Sequence, residues 1–150
     1  MPLRHIVLAA LIVIAAAACS SGSASGPPAS SGVAGSPAST AEVNVGLTDA
    51  LVMEPAGISV KAGVPVRFVV TNTGATEHEF FLGDEAAQMT HGEDMAGMSG
   101  MTDDAAGIAL APGETKTLEF TFSKPGMYQA GCHVAGHYEA GMKAMITVTE

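Results

Sequence analysis

Val64-Pro65-Val66-Arg67-Phe68-Val69-Val70 places an apolar residue at every second position. Successive side chains on a strand point to opposite faces, so Val64, Val66, Phe68 and Val70 share one apolar face, and Pro65, Arg67 and Val69 make a mixed one. Leu118, Phe120 and Phe122 repeat that period, and Ile146 and Val148 continue it near the end of the chain. Strand-like segments run over 43–47, 58–61, 64–72, 79–82, 117–122, 126–132 and 144–149, and Gly and Pro punctuate the spaces between most of them. No apolar stretch of helical period follows the first residues. The pattern predicts an all-β fold, an antiparallel β-sandwich whose core, with two Tyr and no Trp, is mostly aliphatic.

Working outward to the start of the chain, Arg4, an apolar run from Ile6 to Ala18 and small residues before Cys19 read as a signal peptide over residues 1–18. The run falls short of the roughly 20 apolar residues of a membrane span. Ala16-Ala17-Ala18-Cys19 resembles a bacterial lipoprotein box, with Ala16 where Leu is commoner, so Cys19 is the expected lipidation point. Acyl chains there would hold the protein on a membrane surface without a spanning helix; a soluble exported form is the alternative. Residues 19–41 are, after Cys19, almost all Ser, Gly, Ala and Pro without charge, a composition that buries too little apolar surface to fold and reads as a flexible linker. Residues 42–150 then suffice for one domain with one core.

Six Lys and Arg against fifteen Asp and Glu give a net charge of −9. Nucleic acid is not an expected partner of so acidic a chain. With Cys19 assigned to processing, Cys132 has no disulfide partner, and a lone thiol in an exported protein calls for burial or a metal.

That thiol belongs to Gly131-Cys132-His133-Val134-Ala135-Gly136-His137-Tyr138-Glu139-Ala140-Gly141-Met142, where a thiol, an imidazole and a thioether follow one another at intervals of five. A thiolate, two imidazoles and a weak axial thioether form the ligand set of blue copper sites. The loop lacks one imidazole of that set, and His78 can supply it. The bland alternative makes Cys132 a small buried hydrophobe, His137 a loop histidine and Met142 core filler; it leaves their crowding into one Gly-rich segment unexplained. Met145 competes for the axial role, but it sits in a segment of alternating strand character. His133 faces away from Cys132 if the segment is extended, which suggests a surface or supporting role.

Residues 83–107 fit neither a strand nor a compact turn. They read as a long loop in which Met89, His91, Met95, Met98 and Met101 stand among Gly, Asp, Glu and Ser. Thioethers suit Cu(I), so this Met-rich loop offers a second, looser Cu(I) site, against the alternative of a solvated insert.

Taken together, the domain resembles the cupredoxins, the blue type 1 copper proteins of the plastocyanin and azurin type. The resemblance rests on Ile58-Ser59-Val60-Lys61-Ala62-Gly63 leading into 66–72, on Glu77-His78-Glu79-Phe80, and on 126–148 with Cys132, His137 and Met142. It implies an eight-stranded Greek-key sandwich with copper at one end, His78 on a strand edge and the other three ligands on the loop joining the last two strands. In several relatives an Asn after the first His braces the ligand loop; Glu79 stands there instead, which puts that hydrogen bond in question.

Ligand chemistry then suggests function. Thiolate and imidazole bind both Cu(II) and Cu(I) acceptably, so the expectation is a membrane-anchored exported carrier of single electrons rather than an enzyme, monomeric, with redox proteins as partners. A copper-delivery protein using the Met-rich loop, with copper-handling partners, is the second reading. A metal-free sandwich serving adhesion is the third, and it gives the lone Cys132 no purpose.

Overall fold

The computed structural model describes residues 40–97, 103–134 and 136–150. The expected signal peptide, Cys19, most of the linker, Met98 and Met101 lie outside them.

Nine strands and one helix make up the described residues: β1 (Ala41–Thr48), β2 (Val52–Glu54), β3 (Gly57–Lys61), β4 (Val66–Asn72), β5 (His78–Gly83), α1 (Glu85–Ala96), β6 (Gly107–Leu110), β7 (Thr115–Phe120), β8 (Gly126–Gly131) and β9 (Lys143–Thr149). One sheet has the order β2-β1-β4-β7 and the other β3-β9-β8-β5-β6. The chain crosses repeatedly between them, as a Greek-key sandwich requires. The core forms where the two inner faces meet, and there Phe68 of β4 lies 5.4 Å from Phe80 of β5, ring centre to ring centre.

Alternation on β4 is as expected: Val66, Phe68 and Val70 are fully buried while Arg67 is exposed. Arg67 pairs with Glu42 of the neighbouring β1 at 2.8 Å. Val64 departs from the expectation. It sits in the turn before β4, its N–H reaching Lys61 O, and is only half-buried. Phe120 is likewise half-buried, packing against the core at its margin, whereas Phe122 beyond the strand end is buried.

Three features correct the sequence reading. The sandwich is not purely antiparallel, because β1 pairs with β4, and β3 with β9, in parallel register. In each pair the chain passes through the opposite sheet between the two strands, so both can run the same way, and alternation carries no information on direction. Two short strands, β2 and β6, were not expected; with the seven expected segments they make nine, against the eight that the resemblance implies.

The third correction is that 83–107 is not simply a loop, since α1 occupies its first half. Asp84 caps the helix, its carboxylate accepting from Ala87 N–H at 2.9 Å, Glu85 complements the helix N-terminus, and Gly97 closes it. No apolar stripe announces α1, because its one buried residue is Gln88. The Gln88 amide donates to Phe81 O at 3.1 Å and Gln129 O at 2.9 Å, and its oxygen faces His133 Nε2 at 2.8 Å. The helix is therefore docked onto β5 and β8 by polar bonds that hydrophobic periodicity cannot register.

Candidate metal centre

Strand ends converge at one pole of the sandwich. His78 opens β5, Cys132 follows β8, and His137 lies in the turn that leads to β9. Two positive-φ glycines, Gly136 at 83° and Gly141 at 99°, allow that turn to coil tightly, a conformation glycine adopts at little cost. Met142 N–H donates to His137 O at 2.9 Å and Cys132 N–H to Met142 O at 3.2 Å, so the backbone itself ties the three loop residues together.

One donor atom each from His78, Cys132 and His137 lies within 4.8 Å of the other two. Cys132 Sγ is 3.5 Å from His137 Nδ1 and 3.9 Å from His78 Nδ1, and the imidazole centres are 5.1 Å apart. An ion about 2.0–2.3 Å from each donor, the range for first-row metals with nitrogen and sulfur ligands, would set planar trigonal donors roughly 3.5–4 Å apart. The residues fit a metal ion, and a thiolate with two imidazoles is the donor chemistry of copper. Met142 is fully buried and its backbone is bonded to Cys132 and His137, whereas Met145, 40% exposed, faces outward from β9.

The surroundings orient Cys132 and His78. Cys132 Sγ accepts from Glu79 N–H at 3.3 Å. Burial pushes the Cys132 thiol up to about 11, against the backbone N–H groups of Glu79 and Val134, which favour thiolate. His78 is held below its ordinary value, first by burial and then by the neighbouring His137, with the Asp49 contact opposing. Asp49, in the turn after β1, places Oδ1 3.5 Å from His78 Nε2, and Thr76 Oγ1 is 3.3 Å from the same nitrogen. Bonds from Ala75 N–H and from the N–H and hydroxyl of Thr76 bring the Asp49 carboxyl down to about 2. An imidazole whose far nitrogen is so engaged presents the other to a metal. Sequence reasoning missed Asp49, and no local pattern marks it, because its contact with His78 exists only in the fold.

Glu79 resolves the question raised by its place after His78. It does brace the ligand loop, since Oε2 accepts from His133 N–H at 3.0 Å. The His133 ring is turned away from the ligand group toward Gln88 and stacks on Tyr138 at 4.4 Å. Burial holds it down at about 4, so it stays neutral near pH 7.

The proposed Cu(I) ligands are distributed differently. Met89 is 64% exposed on α1. His91 is turned inward, its Nε2 2.8 Å from Glu79 Oε1 and its ring stacked on Phe81 at 3.8 Å. Met95 lies one helical turn after His91 and is half-buried.

Similarities to known proteins agree with this geometry. The chain is 36% identical to the "Copper-resistant cuproprotein CopI" of Rubrivivax gelatinosus over 71% of this chain and 65% of that protein. With the protein of that name from Pseudomonas aeruginosa it shares 32% identity over 84% of this chain and 88% of that one. The chain thus spans about two thirds of the first relative and most of the second. Among solved structures, an auracyanin from Roseiflexus castenholzii superimposes with a TM-score of 0.67, covering 74% of this chain and 98% of that one at 24% identity, which attests the fold. The model of the cupredoxin-like domain matches residues 7–148, and the chain, whose His78, Cys132 and His137 group suits copper, belongs to that family.

Proposed function

We propose that the chain is a type 1 copper protein that carries single electrons, with His78, Cys132 and His137 as equatorial ligands and Met142 as the axial one. The observation that carries the reading is the convergence of His78, Cys132 and His137, one donor atom from each within 4.8 Å of the others and both Nδ1 atoms within 3.9 Å of Sγ. Bound copper would supply a one-electron couple, and the chain supplies a frame that need not rearrange when the charge changes. Cys132 and His78 are fully buried, which excludes water, and Glu79 N–H and Asp49 fix their orientation. A buried Met142 leaves the fourth direction to a thioether rather than to a substrate, which favours a carrier over an enzyme.

Export, a signal peptide over 1–18, a lipid anchor at Cys19 and a linker over 19–41 before the domain at 42–150 complete the proposal. They rest on the sequence pattern of the first residues. A monomer working with redox proteins follows from the same reading. Copper delivery is a second reading, supported by the copper-resistance name of the CopI relatives and by the exposed thioether of Met89; its partners would be copper-handling proteins.

Adding Cu(II) to the purified protein tests the first reading. An intense thiolate-to-copper absorption at one equivalent is expected, and a colourless product would refute it. Cu(I) titration separates the two uses: one equivalent fits a carrier, and a second, lost on changing Met89, Met95, Met98 and Met101, fits delivery. Met142→Leu should keep the colour and raise the reduction potential, because a weak donor to copper is lost and Cu(I) gains relatively. A tenfold change in the Cu(I) to Cu(II) ratio, about 59 mV, is the expected order. An unchanged potential would remove Met142 from the axial place.

A further inference from the structure

Glu79 is a buried acid, 2% exposed, with both carboxylate oxygens engaged. Oε1 accepts from the His91 ring at 2.8 Å and Oε2 from His133 N–H at 3.0 Å, while its own backbone N–H donates to Cys132 Sγ at 3.3 Å. The carboxylate thus lies between α1 and the ligand-bearing loop, on the residue after His78 and bonded to the residue after Cys132. Its His91 partner cannot swing freely, because that ring is stacked on Phe81 at 3.8 Å with 1° between the planes. Gln88 anchors the same helix to β5 and β8.

Bracing the loop requires only an acceptor for His133 N–H, which a neutral amide also provides. An acid in this place adds a charge. Burying one is costly unless it is paired and hydrogen-bonded, and α1 contributes the imidazole that meets this condition. Shielded from water, such a charge acts on its neighbours more strongly than one in solvent.

We propose that Glu79 is a positioning residue whose buried carboxylate biases the His78, Cys132 and His137 site toward the oxidised, more positive state of its metal, and that α1, through His91, straps that charge in place. This rests on the copper reading given above. A fixed negative charge close by lowers the energy of Cu(II) relative to Cu(I), so removing it raises the reduction potential.

Glu79→Gln in the full chain separates charge from bracing, because the amide keeps an acceptor for His133 N–H. The copper-loaded variant is expected to keep the absorption band and, at a fixed ambient potential, to hold tenfold more Cu(I), about 59 mV. Glu79→Asn, a second neutral variant, is expected to shift the same way if Glu79→Gln folds poorly. A potential equal to wild type with the band intact overturns the inference while the copper reading stands; a wild type without the band overturns both. Amide exchange in the metal-free protein reads the strap independently. His133 N–H is expected to exchange at least tenfold faster in Glu79→Ala than in wild type, and within threefold of wild type in Glu79→Gln. Equal rates in Glu79→Ala and wild type would overturn the bracing role.

Discussion

Cys132→Ser is expected to abolish the thiolate-to-copper absorption of the copper-loaded protein entirely and to leave both sheets folded. The band needs a sulfur donor, and Cys132 is the one free cysteine among the described residues. A serine hydroxyl is a hard oxygen that supplies no such transition, yet it fits the same place and can still accept from Glu79 N–H. The metal-free protein gives an independent check through pH. The Cys132 thiol is raised from 9.0 to about 11 in the fold, so above pH 9 the unfolded chain loses a proton that the native state keeps. Stability is therefore fully present below pH 9 and falls as pH rises toward 11. At about 1.4 kcal/mol per pKa unit, the loss attributable to this thiol is at most about 3 kcal/mol. Denaturant unfolding of both metal-free proteins at pH 8 and 11 should show that increment in wild type and not in Cys132→Ser. A serine variant that stays blue would place the thiolate ligand elsewhere.

Phe68→Ala is expected to destabilise the metal-free domain by about 3–5 kcal/mol, the usual cost of removing a fully buried aromatic ring. Phe68 lies within β4, paired with Val43 on one side and Leu118 on the other, and its ring meets Phe80 of the facing sheet at 5.4 Å. Its loss opens a cavity between two sheets that are each held in place by their own ladders and cannot collapse into it. Domains of this size hold only about 5–15 kcal/mol in total, so the melting temperature should drop on the order of 15–25 °C. Thr117→Ala, an exposed change on adjacent β7, should stay within about 0.5 kcal/mol. The comparison must use metal-free protein, since a bound ion adds its own stabilisation to the native state. A loss below 1 kcal/mol would mean that the two sheets do not close on Phe68.

The residues show why some of this was legible in the sequence and some was not. The β4 alternation could be read because an inner and an outer face impose a period of two on a single segment, and Val66, Phe68 and Val70 obey it. Cys132, His137 and Met142 could be read because one tight loop carries all three. Strand direction could not, since parallel and antiparallel neighbours share the same period. Helix α1 was missed because it is docked by Gln88 and by the contact between His91 and Glu79, not by an apolar stripe. Asp49 and the bracing by Glu79 were beyond reach because each depends on contacts between segments remote in the chain. The expected loop ligands Met98 and Met101 fall outside the described residues, so the structure bears only on Met89, His91 and Met95 of that group.

The parallel pairing of β1 with β4 has a consequence for how the domain is presented. Both strands run toward the metal end, so Ala41 sits at the opposite end, where its N–H bonds Pro65 O. Thr149 lies there too, its carbonyl accepting from Ala62 N–H. Seven residue steps along β1, at about 3.3 Å each, separate Ala41 from Thr48 by roughly 23 Å. Strand β1 thus begins, and β9 ends, at the pole of the sandwich away from His78, Cys132 and His137. The group of His78, Cys132 and His137 therefore lies a full strand length from the point where β1 enters the sandwich.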